Sequence, residues 1–473
     1  MSPTSFLVKA LGRTALALPL ACSTNSYAQA PVQSDSVALQ ALVDSVVGAE
    51  MGRARIPGAA FVFVQEGRVV VSRGYGVADI QSGRKVDPGS TIFRIGSITK
   101  VFTATAMMQL HDRGLVALDN DVNRHLRSAQ VPAAFSQPVT IGHLLDHTAG
   151  FDEISAGRQA SSESALLPLA EFLSMRLRRI RPPGDIPAYS TYGITLAGLV
   201  IQDVSGKSYE DFVRENIWTP LGMHDTRVTL SAEQRARLAT AYEFEGGTHV
   251  PQRYEWYHTT PASSINSTAA DMAKFIRAQL GVQPLLMRET SRRVMQATHA
   301  RGHADVPGVA YGFFEGDYAG VRVLEHGGAM AGASAHLVLM PEIRAGFFVA
   351  SQLEGNALGA LLKEAIIDRF FRRNTGRPPT ASRDADPPLA AFAGRYRWNV
   401  YCRTCGSAAP ANGPSVVVNP DSTLSFAGRV WVRIGPLLFR RSDGARVLGF
   451  RRNSADRISH LFIDGPLTFE RIE

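Results

Sequence analysis

The stretch FRIGSITK, residues 93–100, precedes an apolar run with helical spacing and contains the pattern Ser-x-x-Lys. Residues three apart lie on one face of a helix, so the Ser97 hydroxyl and the Lys100 amine can meet without help from other segments. A serine hydroxyl is a weak nucleophile at neutral pH, whereas an amine that loses its proton in a desolvated pocket can accept the serine's proton. The tetrad predicts a nucleophile beside its base. Because four-residue patterns recur by chance, this interpretation depends on companion motifs.

Two later motifs accompany the tetrad in a fixed order. The first is Tyr189-Ser190-Thr191, and the second is the triplet His326-Gly327-Gly328, shortly before a predicted strand at Ala333. This order resembles the serine beta-lactamase superfamily in its class C-like branch, which includes DD-peptidases, D-aminopeptidases and esterases. The resemblance runs from about Ser45 to Phe371. Supporting segments lie at residues 141–150, 220–223 and 267–271.

The resemblance implies a fold and a set of roles. The fold is α/β of the beta-lactamase/transpeptidase type, an antiparallel sheet flanked by helices with an additional all-helical region. Ser97 attacks the carbonyl to form an acyl-enzyme, and Lys100 holds or accepts its proton. Tyr189 shares the base role and passes the proton to the leaving group, for which its pKa must fall below about 10. Lys100 and His326 are the cations expected to lower it. No cofactor is implied.

The His-Gly-Gly segment is expected on an edge strand that lines the pocket. Glycines at 327 and 328 let substrate backbone approach closely, and the Ala329 N–H would complete an oxyanion hole with the Ser97 N–H. Many beta-lactamases carry Lys where His326 stands. An imidazole is neutral for part of the physiological pH range, so substrates whose carboxylate needs a permanent cation are disfavoured.

Thr191 departs from the family pattern. Relatives that act on peptides or lactams usually have Asn there, whose amide both donates and accepts a hydrogen bond. Thr offers one hydroxyl with a shorter reach. We therefore expect Thr191, Gly327 and Gly328 to contact substrate, and we expect short acyl esters to be better substrates than penicillins. D-amino-acid-type amides or peptides, a true beta-lactamase and a DD-carboxypeptidase are the alternatives within the family.

Two interpretations from other classes stay open. Residues His143, Asp146 and His147 form an HxxDH pattern that is similar to the HxxEH pattern of some zinc peptidases, with two histidines on one helical face. The acid is Asp rather than Glu, and no third ligand suggests itself, so no metal is expected. The second possibility is a catalytically weak binding or assembly module of the cell envelope, in which the change at Thr191 marks loss of activity.

The first thirty residues predict a signal peptide. Lys9 and Arg13 precede an apolar run, and Ala28-Gln29-Ala30 supplies the small residues of a cleavage site after Ala30. Lipidation at Cys22 is the alternative, which Pro19 disfavours because a lipobox usually has Leu there. An exported, periplasmic or secreted protein is expected.

Export makes the cysteine count informative. Loss of residues 1–30 removes Cys22 and leaves Cys402 and Cys405, an even pair in an oxidising compartment. The prediction is a disulfide. A single CxxC without a second pair or a nearby His is weak evidence for zinc.

The remaining chain divides into a hydrolase domain at 31–371, a Pro-rich linker at 372–388 and a β-rich domain at 389–473. Short apolar runs in the last part predict a small antiparallel barrel or sandwich. Residues 387–473 contain twelve Arg, no Lys and six acidic residues, which accounts for the mature chain's whole basic excess. Such a charge can attract an anionic envelope polymer or lipid headgroups, although arginines on the outer face of a small sheet are the favoured explanation. Nucleic acid is not expected, since no aromatic-basic motif is present.

Local patterns predict several elements of the hydrolase domain. Two β-rich runs at 59–64 and 68–72 predict a hairpin, and runs at 333–340 and 347–352 predict another. Most of the chain between the hairpins is expected to be helical, with helices at 97–113 and 209–217.

Overall fold

The computed structural model describes residues 35–373, 386–405, 413–444, 446–463, 465 and 467–472. The predicted signal peptide at 1–30, with Cys22, lies outside the described residues. So does most of the predicted linker, from 374 to 385. These predictions therefore stay predictions.

Helices and strands follow one another along the whole described chain. The α-helices are α1 Ser36–Ala54, α2 Thr99–Asp112, α3 Ile141–Leu145, α4 Leu169–Arg176, α5 Thr191–Ser205, α6 Tyr209–Val213, α7 Thr219–Leu221, α8 Ala232–Arg237, α9 Thr260–Ser263, α10 Ala269–Gln279, α11 Glu289–Gln296 and α12 Leu358–Ile366. The strands up to the end of the hydrolase part are β1 Gly58–Gln65, β2 Arg68–Gly76, β3 Phe93–Arg94, β4 Gln159–Ala160, β5 Tyr242–Glu245, β6 Thr248–Pro251, β7 Trp256–Tyr257, β8 Asn266–Ser267, β9 Val309–Ala310, β10 Phe313–Tyr318, β11 Val321–Met330, β12 Ala333–Met340 and β13 Ala345–Ser351.

The largest sheet has seven antiparallel strands in the order β2-β1-β13-β12-β11-β10-β9. Both predicted hairpins are confirmed, since β1 pairs with β2 and β12 pairs with β13. The first and last long segments of the hydrolase part meet at its centre, where β1 pairs with β13 from Ala59↔Ser351 to Gln65↔Ala345. The sheet therefore joins the two ends of a long insertion. The expectation that this insertion is mostly helical is wrong, because helices form less than half of it and strands, turns and loops form the rest.

Strand β1 is buried along its entire length because helices cover both faces of the sheet. Side chains alternate between faces of a strand, so Ala60, Val62 and Val64 pack into one core while Ala59, Phe61 and Phe63 pack into the other. Helices α1 and α12 cover the second face. This double burial explains why the run at 59–64 contains no polar residue.

Helix α2 passes through the larger core. Every residue from Thr99 to Leu110 is buried, as expected of a helix that packs against neighbours on all sides. It contacts α5, α9 and α11. The predicted helix at 97–113 is slightly shorter in the structure, because Gly96–Ile98 forms a 3₁₀ turn and the α-helix begins at Thr99. The nucleophile therefore lies before the helix and the lysine lies in its first turn.

The C-terminal part is a closed antiparallel barrel of eight strands. Its strands are β14 Gly394–Trp398, β15 Ser415–Val418, β16 Leu424–Phe426, β17 Arg429–Gly435, β18 Leu438–Arg441, β19 Val447–Arg452, β20 Ile458–Ile463 and β21 Leu467–Arg471. Pairing of β14 with both β15 and β21 closes the ring. The predicted choice between barrel and sandwich thus resolves to a barrel, filled by aromatic and aliphatic side chains such as Phe392, Tyr396 and Trp431.

Candidate active site

Ser97 and Lys100 are in direct contact. Lys100 Nζ lies 3.0 Å from Ser97 Oγ and donates a second hydrogen bond, of 2.9 Å, to the carbonyl oxygen of Ala262 on α9. The carbonyl fixes the amine from one side and the nucleophile contacts it from the other. The juxtaposition predicted from the three-residue spacing is present.

Burial changes the acidity of Lys100. The side chain is fully buried, and the loss of water around its ammonium group lowers its pKa from 10.5 to about 7. Two neighbouring charges act in opposite directions, since the Glu153 carboxylate raises this pKa and the Arg158 guanidinium lowers it. Near neutral pH a substantial fraction of the amine is unprotonated and can accept the Ser97 proton.

Tyr189 contacts the same oxygen atom from another side. Its hydroxyl donates a hydrogen bond of 2.8 Å to Ser97 Oγ, and Lys100 Nζ lies 4.8 Å from its ring centroid. Burial raises the pKa of Tyr189 above the usual value of 10. The expectation that this pKa falls is wrong, because burial is the largest influence on it and raises it. In the resting site the phenol is therefore a proton donor.

His326 is a neutral hydrogen-bond acceptor. Its Nδ1 lies 2.7 Å from the carbonyl oxygen of Gly327, so Nδ1 carries the proton and Nε2 has the free lone pair. Within the described chain Nε2 is buried and has no hydrogen-bond partner. Burial, with help from Lys100, lowers the pKa of His326 from 6.5 to about 3. The ring packs against Phe314, with centroids 4.5 Å apart.

Tight glycine packing brings the two amides of the expected oxyanion hole together. Gly96 has a left-handed φ of 52°, and a Cβ there would lie 3.1 Å from the Ala329 nitrogen. A Cβ on Gly328 would lie 2.0 Å from the Ile95 carbonyl oxygen and 3.4 Å from the Ser97 nitrogen. The Gly96–Ile98 turn thus lies directly against β11, where the expected pair of N–H donors is located. In contrast, a Cβ on Gly327 would meet no atom within 4 Å.

Strand β11 is interior to the sheet by strand order, but half of it has a free edge. Its pairing with β10 ends at Phe314↔Glu325, whereas its pairing with β12 continues to Met330↔Ala333. Between residues 326 and 330 no described strand pairs with it on the β10 side. The expected edge strand is therefore this half of β11, which leaves backbone groups available beside Ser97.

Thr191 is the first residue of α5, and its contacts are with an ion pair. Its N–H donates to the Glu153 carboxylate at 2.8 Å, and its hydroxyl accepts a hydrogen bond of 3.4 Å from the Arg158 guanidinium. Glu153 and Arg158 are themselves paired at 3.0 Å. Burial raises the pKa of Glu153. The polar groups on this side of Ser97 are thus three connected side chains, rather than Thr191 alone.

His147 positions the tyrosine motif and does not share a helix with His143. Helix α3 ends at Leu145, and His147 has a left-handed φ of 62°. Its Nδ1 accepts a hydrogen bond from the Ser190 N–H, whereas His143 Nδ1 accepts one from the Thr140 N–H. The single helical face on which the zinc interpretation depended is therefore absent. In the described ranges, no cluster of three or more His, Cys, Asp or Glu side chains is suitably placed to hold a metal ion.

Ser97 lies where two cavities meet. One, of about 480 Å³, is mainly apolar and is bordered by His326, Phe314 and Leu358. The other, of about 810 Å³, is polar and is bordered by Glu153 and Arg158. Ser97, Tyr189, Ala329 and Trp398 line both cavities. A substrate carbonyl at Ser97 can therefore place one substituent in each.

The barrel supplies walls to both cavities. Trp398 at the end of β14 and Leu467 at the start of β21 line the apolar cavity. The polar cavity is lined by Val400, Tyr401, Cys402 and Cys405. The sulfur atoms of Cys402 and Cys405 are joined as a disulfide, with Cα atoms 5.6 Å apart. The barrel is therefore part of the mouth of the site.

A buried carboxylate anchors the disulfide loop to the hydrolase part. Asp152 accepts hydrogen bonds from the N–H groups of Arg403 and Thr404, at 2.8 and 2.9 Å, and from the Thr404 hydroxyl at 2.7 Å. Its neighbour in sequence is Glu153, which contacts Thr191. A single dipeptide thus connects the barrel loop with the polar cavity.

Several of these residues were not predicted from the sequence. Asp152 and Glu153 lie two and three residues after the family segment at 141–150, so their position was a usable signal. Arg158 and Trp398 carry no local pattern. Their importance depends on which segments meet at Ser97.

Comparisons with known proteins agree with this arrangement. The sequence model of the family described as Beta-lactamase matches residues 43–369. Protein flp of Staphylococcus aureus strain MRSA252 is 24% identical over 327 residues, a match that covers 68% of this chain and 65% of that protein. The chain thus spans slightly less than two thirds of that relative's length. Penicillin-binding protein 4 of Amycolatopsis lactamdurans is 30% identical over 315 residues, covering 60% of this chain and 78% of that protein.

Solved structures show the same fold. The octameric penicillin-binding protein homologue from Pyrococcus abyssi superposes with a TM-score of 0.63 at 22% identity, covering 91% of this chain and all of that one. SurE gives the same TM-score and identity, with 92% and 99% covered. A class C beta-lactamase from Rhodobacter sphaeroides gives 0.58 at 20% identity and covers 69% of this chain and 99% of its own.

The family match covers most of the chain, and the motifs that carried the resemblance lie within it. The fold is that of class C beta-lactamases and penicillin-binding protein homologues. This chain belongs to the beta-lactamase family, whose members are generally serine hydrolases.

Proposed function

We propose that this protein is an exported serine hydrolase that cleaves esters through an acyl-enzyme on Ser97. The observation that carries the proposal is the environment of Ser97 Oγ, which contacts an amine of pKa about 7 and a protonated phenol. This combination provides a base for the attack and an acid for the departure of the alcohol.

Acylation follows from the geometry. Unprotonated Lys100 accepts the Ser97 proton as Oγ attacks the ester carbonyl, and the carbonyl oxygen takes up negative charge beside the Ser97 and Ala329 N–H groups. Hydrogen-bond donors fixed at such a position stabilise the tetrahedral intermediate without reorganisation. Tyr189 then gives its proton to the departing alkoxide. Its raised pKa suits this role, because the phenol still holds its proton when the carbon–oxygen bond breaks.

Deacylation uses the same groups with water in place of the alcohol. Lys100 first gives the proton that it took from Ser97 to the Tyr189 phenolate and so becomes a base again. Water then loses a proton to Lys100, its oxygen attacks the acyl carbon, and the bond to Ser97 Oγ breaks. The Ser97 oxygen regains a proton and the carboxylic acid leaves. Microscopic reversibility assigns the return path to the groups that served acylation.

The charge around His326 supports esters over penicillins. A penicillin and a peptide ending in D-Ala both present a carboxylate, which requires a cation or several donors when water is excluded. His326 is neutral, with a pKa of about 3, and no Lys or Arg is among the described residues that line the apolar cavity. An uncharged ester needs no such cation and also has a better leaving group than an amide.

Amides of D-amino-acid type are the second candidate. The polar cavity is bordered by Glu255 and Glu354, which can pair with an ammonium group on a substrate. Burial and the neighbouring glutamates raise the pKa of Glu354. The structural neighbour SurE was also solved with D-Leu.

An acylation screen by intact mass spectrometry tests the choice of substrate. The full chain and its Ser97→Ala variant are incubated with 4-nitrophenyl esters, D-Ala-D-Ala peptides and penicillin. We expect rapid ester turnover and an acyl adduct on the peptide that contains Ser97, both absent from the variant. Steady penicillin hydrolysis without ester hydrolysis would overturn the proposal.

A fluorophosphonate probe tests whether the protein is an enzyme at all. Stoichiometric labelling of Ser97 is expected, since the probe needs only an activated hydroxyl. A protein that stays unlabelled while Ser97 remains accessible would instead be a binding or assembly module of the cell envelope.

Export and the partner of the barrel form part of the same proposal. The leader-like N-terminus and the two remaining cysteines support export, and expression of the full chain should yield a secreted form that begins at Pro31. No helix within the described ranges has the length and apolar character that crossing a membrane requires. Binding of an anionic envelope polymer to the arginine-rich barrel is tested by co-sedimentation at several salt concentrations. The bound fraction should fall as the salt concentration rises.

A further inference from the structure

The apolar cavity is a built pocket to which the proposed chemistry does not yet assign a particular half of the substrate. It extends from Ser97 between β11, β12 and the start of α12, and its volume of about 480 Å³ is within the range of small-molecule sites. Phe314, Ala335, Val349 and Leu358 form its inner wall. A pocket of this composition gains free energy by covering hydrocarbon and loses it by covering charge.

The two polar rings in this pocket also disfavour a charged occupant. His326 is neutral and offers an acceptor at Nε2. His336 Nε2 is bound to the Glu325 carboxylate at 2.8 Å, and Glu325 also accepts two hydrogen bonds of 2.7 Å from Lys363. The charges near the cavity are thus paired with one another behind its wall.

Tyr189 indicates which half of an ester enters the pocket. Its ring lies 6.0 Å from Phe314 and 6.2 Å from His326, and both of these residues line the apolar cavity but not the polar one. Lys100, in contrast, is fixed by Ala262 beside Ser263, which lines the polar cavity. Tyr189 itself lines both cavities, so the proton donor for the leaving group borders the apolar cavity, whereas Lys100 lines neither cavity and is held from the polar side.

The outer wall comes from the barrel. Trp398 and Leu467 lie on strands that pair with each other, β14 and β21, and Trp398 is 45% exposed. An aromatic side chain that remains exposed beside an apolar pocket has surface left to cover when a ligand binds.

We propose that the apolar cavity binds the leaving alcohol or phenol of the substrate, an inference that rests on the proposed ester hydrolysis. Trp398 and Leu467 then select for alcohols with a large apolar surface. In the step concerned, the bond between Ser97 Oγ and the acyl carbon forms and the bond between that carbon and the alcohol oxygen breaks. The alcohol oxygen takes the Tyr189 proton, while the Ser97 proton resides on Lys100. The uncharged alcohol then leaves through the barrel-lined opening.

Two series of simple esters test this inference on the full chain, with acid release followed by pH-stat. In the first, acetate is esterified with methanol, butanol, hexanol or phenol. In the second, methanol is esterified with acetic, butyric or hexanoic acid. We expect kcat/KM to rise along the alcohol series by up to about fourfold per methylene until the pocket is filled. The acyl series should respond much less.

Barrel variants assign the effect to its wall. Trp398→Ala and Leu467→Ala should each lower kcat/KM for hexyl acetate by about tenfold, while methyl acetate changes little. Val432→Ala is the matched control, since Val432 is also an exposed apolar barrel residue but lines neither cavity. Because Trp398 is half exposed, its truncation should leave the melting temperature nearly unchanged, which separates selectivity from folding.

The outcomes distinguish the inference from the function beneath it. Chain-length dependence on the acyl side, or an alcohol dependence that both wall variants retain, would overturn the inference while ester hydrolysis stands. Failure of the wild-type protein to cleave any ester in either series would overturn the proposed function itself.

Discussion

Thr468 on the last barrel strand donates its hydroxyl hydrogen to the carbonyl oxygen of Pro187 at 2.5 Å, two residues before the phenol of Tyr189. The contact is fully buried, and next to it Ile186 packs against Phe462 of the barrel. Arg181 also donates to Asn399 at 2.6 Å. The segment that carries Tyr189 is thus held by the barrel as well as by His147, so the barrel affects the position of a group at the reacting oxygen.

Removing the Thr468 hydroxyl should therefore lower activity. In Thr468→Val the Pro187 carbonyl loses its partner, and we expect kcat for a good ester to fall by about three- to tenfold, because the phenol is less well placed, with a smaller change in KM. Thr468→Ser keeps a hydroxyl and should restore most of kcat. Equal losses in both variants, or a loss that parallels a lower melting temperature, would assign Thr468 a structural role only.

The pH dependence of acylation should report Lys100. The pKa of this amine is about 7, so below pH 7 it is protonated and cannot accept the Ser97 proton. We expect kcat/KM to rise with pH through about 7 and to fall about tenfold per pH unit on the acid side. His326, with a pKa of about 3, adds no transition above pH 5. Lys100→Arg, which stays charged, should be inactive throughout, and a flat profile from pH 5 to 9 would exclude Lys100 as the base.

Two substitutions at the polar cavity should move that midpoint in opposite directions. The Glu153 carboxylate raises the pKa of Lys100 and the Arg158 guanidinium lowers it. Glu153→Gln removes the negative charge but keeps an acceptor for the Thr191 N–H. The pKa of Lys100 should therefore fall, and the acid limb of the kcat/KM profile should move to lower pH. Arg158→Gln should shift it to higher pH. The measurement is the kcat/KM profile of each variant against the wild type, and shifts of the same sign would show that the charges act through structure instead.

The glycine pair of β11 offers a matched test of the oxyanion hole. A Cβ on Gly328 would meet the Ile95 carbonyl oxygen at 2.0 Å, so Gly328→Ala must displace the turn that carries Ser97. Loss of one aligned donor typically lowers kcat by about 10²- to 10³-fold. In Gly327→Ala the new Cβ would meet no atom within 4 Å, so kcat for a methyl ester should fall by less than about threefold. Comparable losses in both variants would place the oxyanion hole elsewhere.

The disulfide loop should control access to the polar cavity. Asp152→Asn replaces a carboxylate oxygen by an NH₂ group, which removes acceptors for Thr404. We expect KM to rise for esters with bulky acyl groups and to stay similar for acetates, and the double variant Cys402→Ser/Cys405→Ser should behave alike. Steady-state kinetics on both ester types provides the measurement. Unchanged KM values for bulky esters would show that the loop is a passive wall.

Much of the architecture was predictable from local pattern. Alternation and turn residues indicated both hairpins of the large sheet, and short apolar runs indicated a small β-structure at the C-terminus. The chemistry was indicated by the residue types at Ser97, Lys100, Tyr189 and His326. In this family the three motifs in that order come together at one active site. Their protonation states were not predictable in the same way. The tyrosine pKa was expected to fall because charge can be counted in a sequence, whereas burial, which raises it, depends on the packing of distant segments.

The sequence by itself determined the family, the strand and helix periodicities and the identity of a nucleophile with its neighbouring amine, since each rests on residue types at short spacing. Only the tertiary structure decided that Trp398 and Leu467 line the apolar cavity, that Thr191 faces an Arg158–Glu153 pair and that Asp152 holds the disulfide loop. These contacts join residues separated by up to several hundred positions, and they form because closing the barrel and burying two sheet faces bring those segments together.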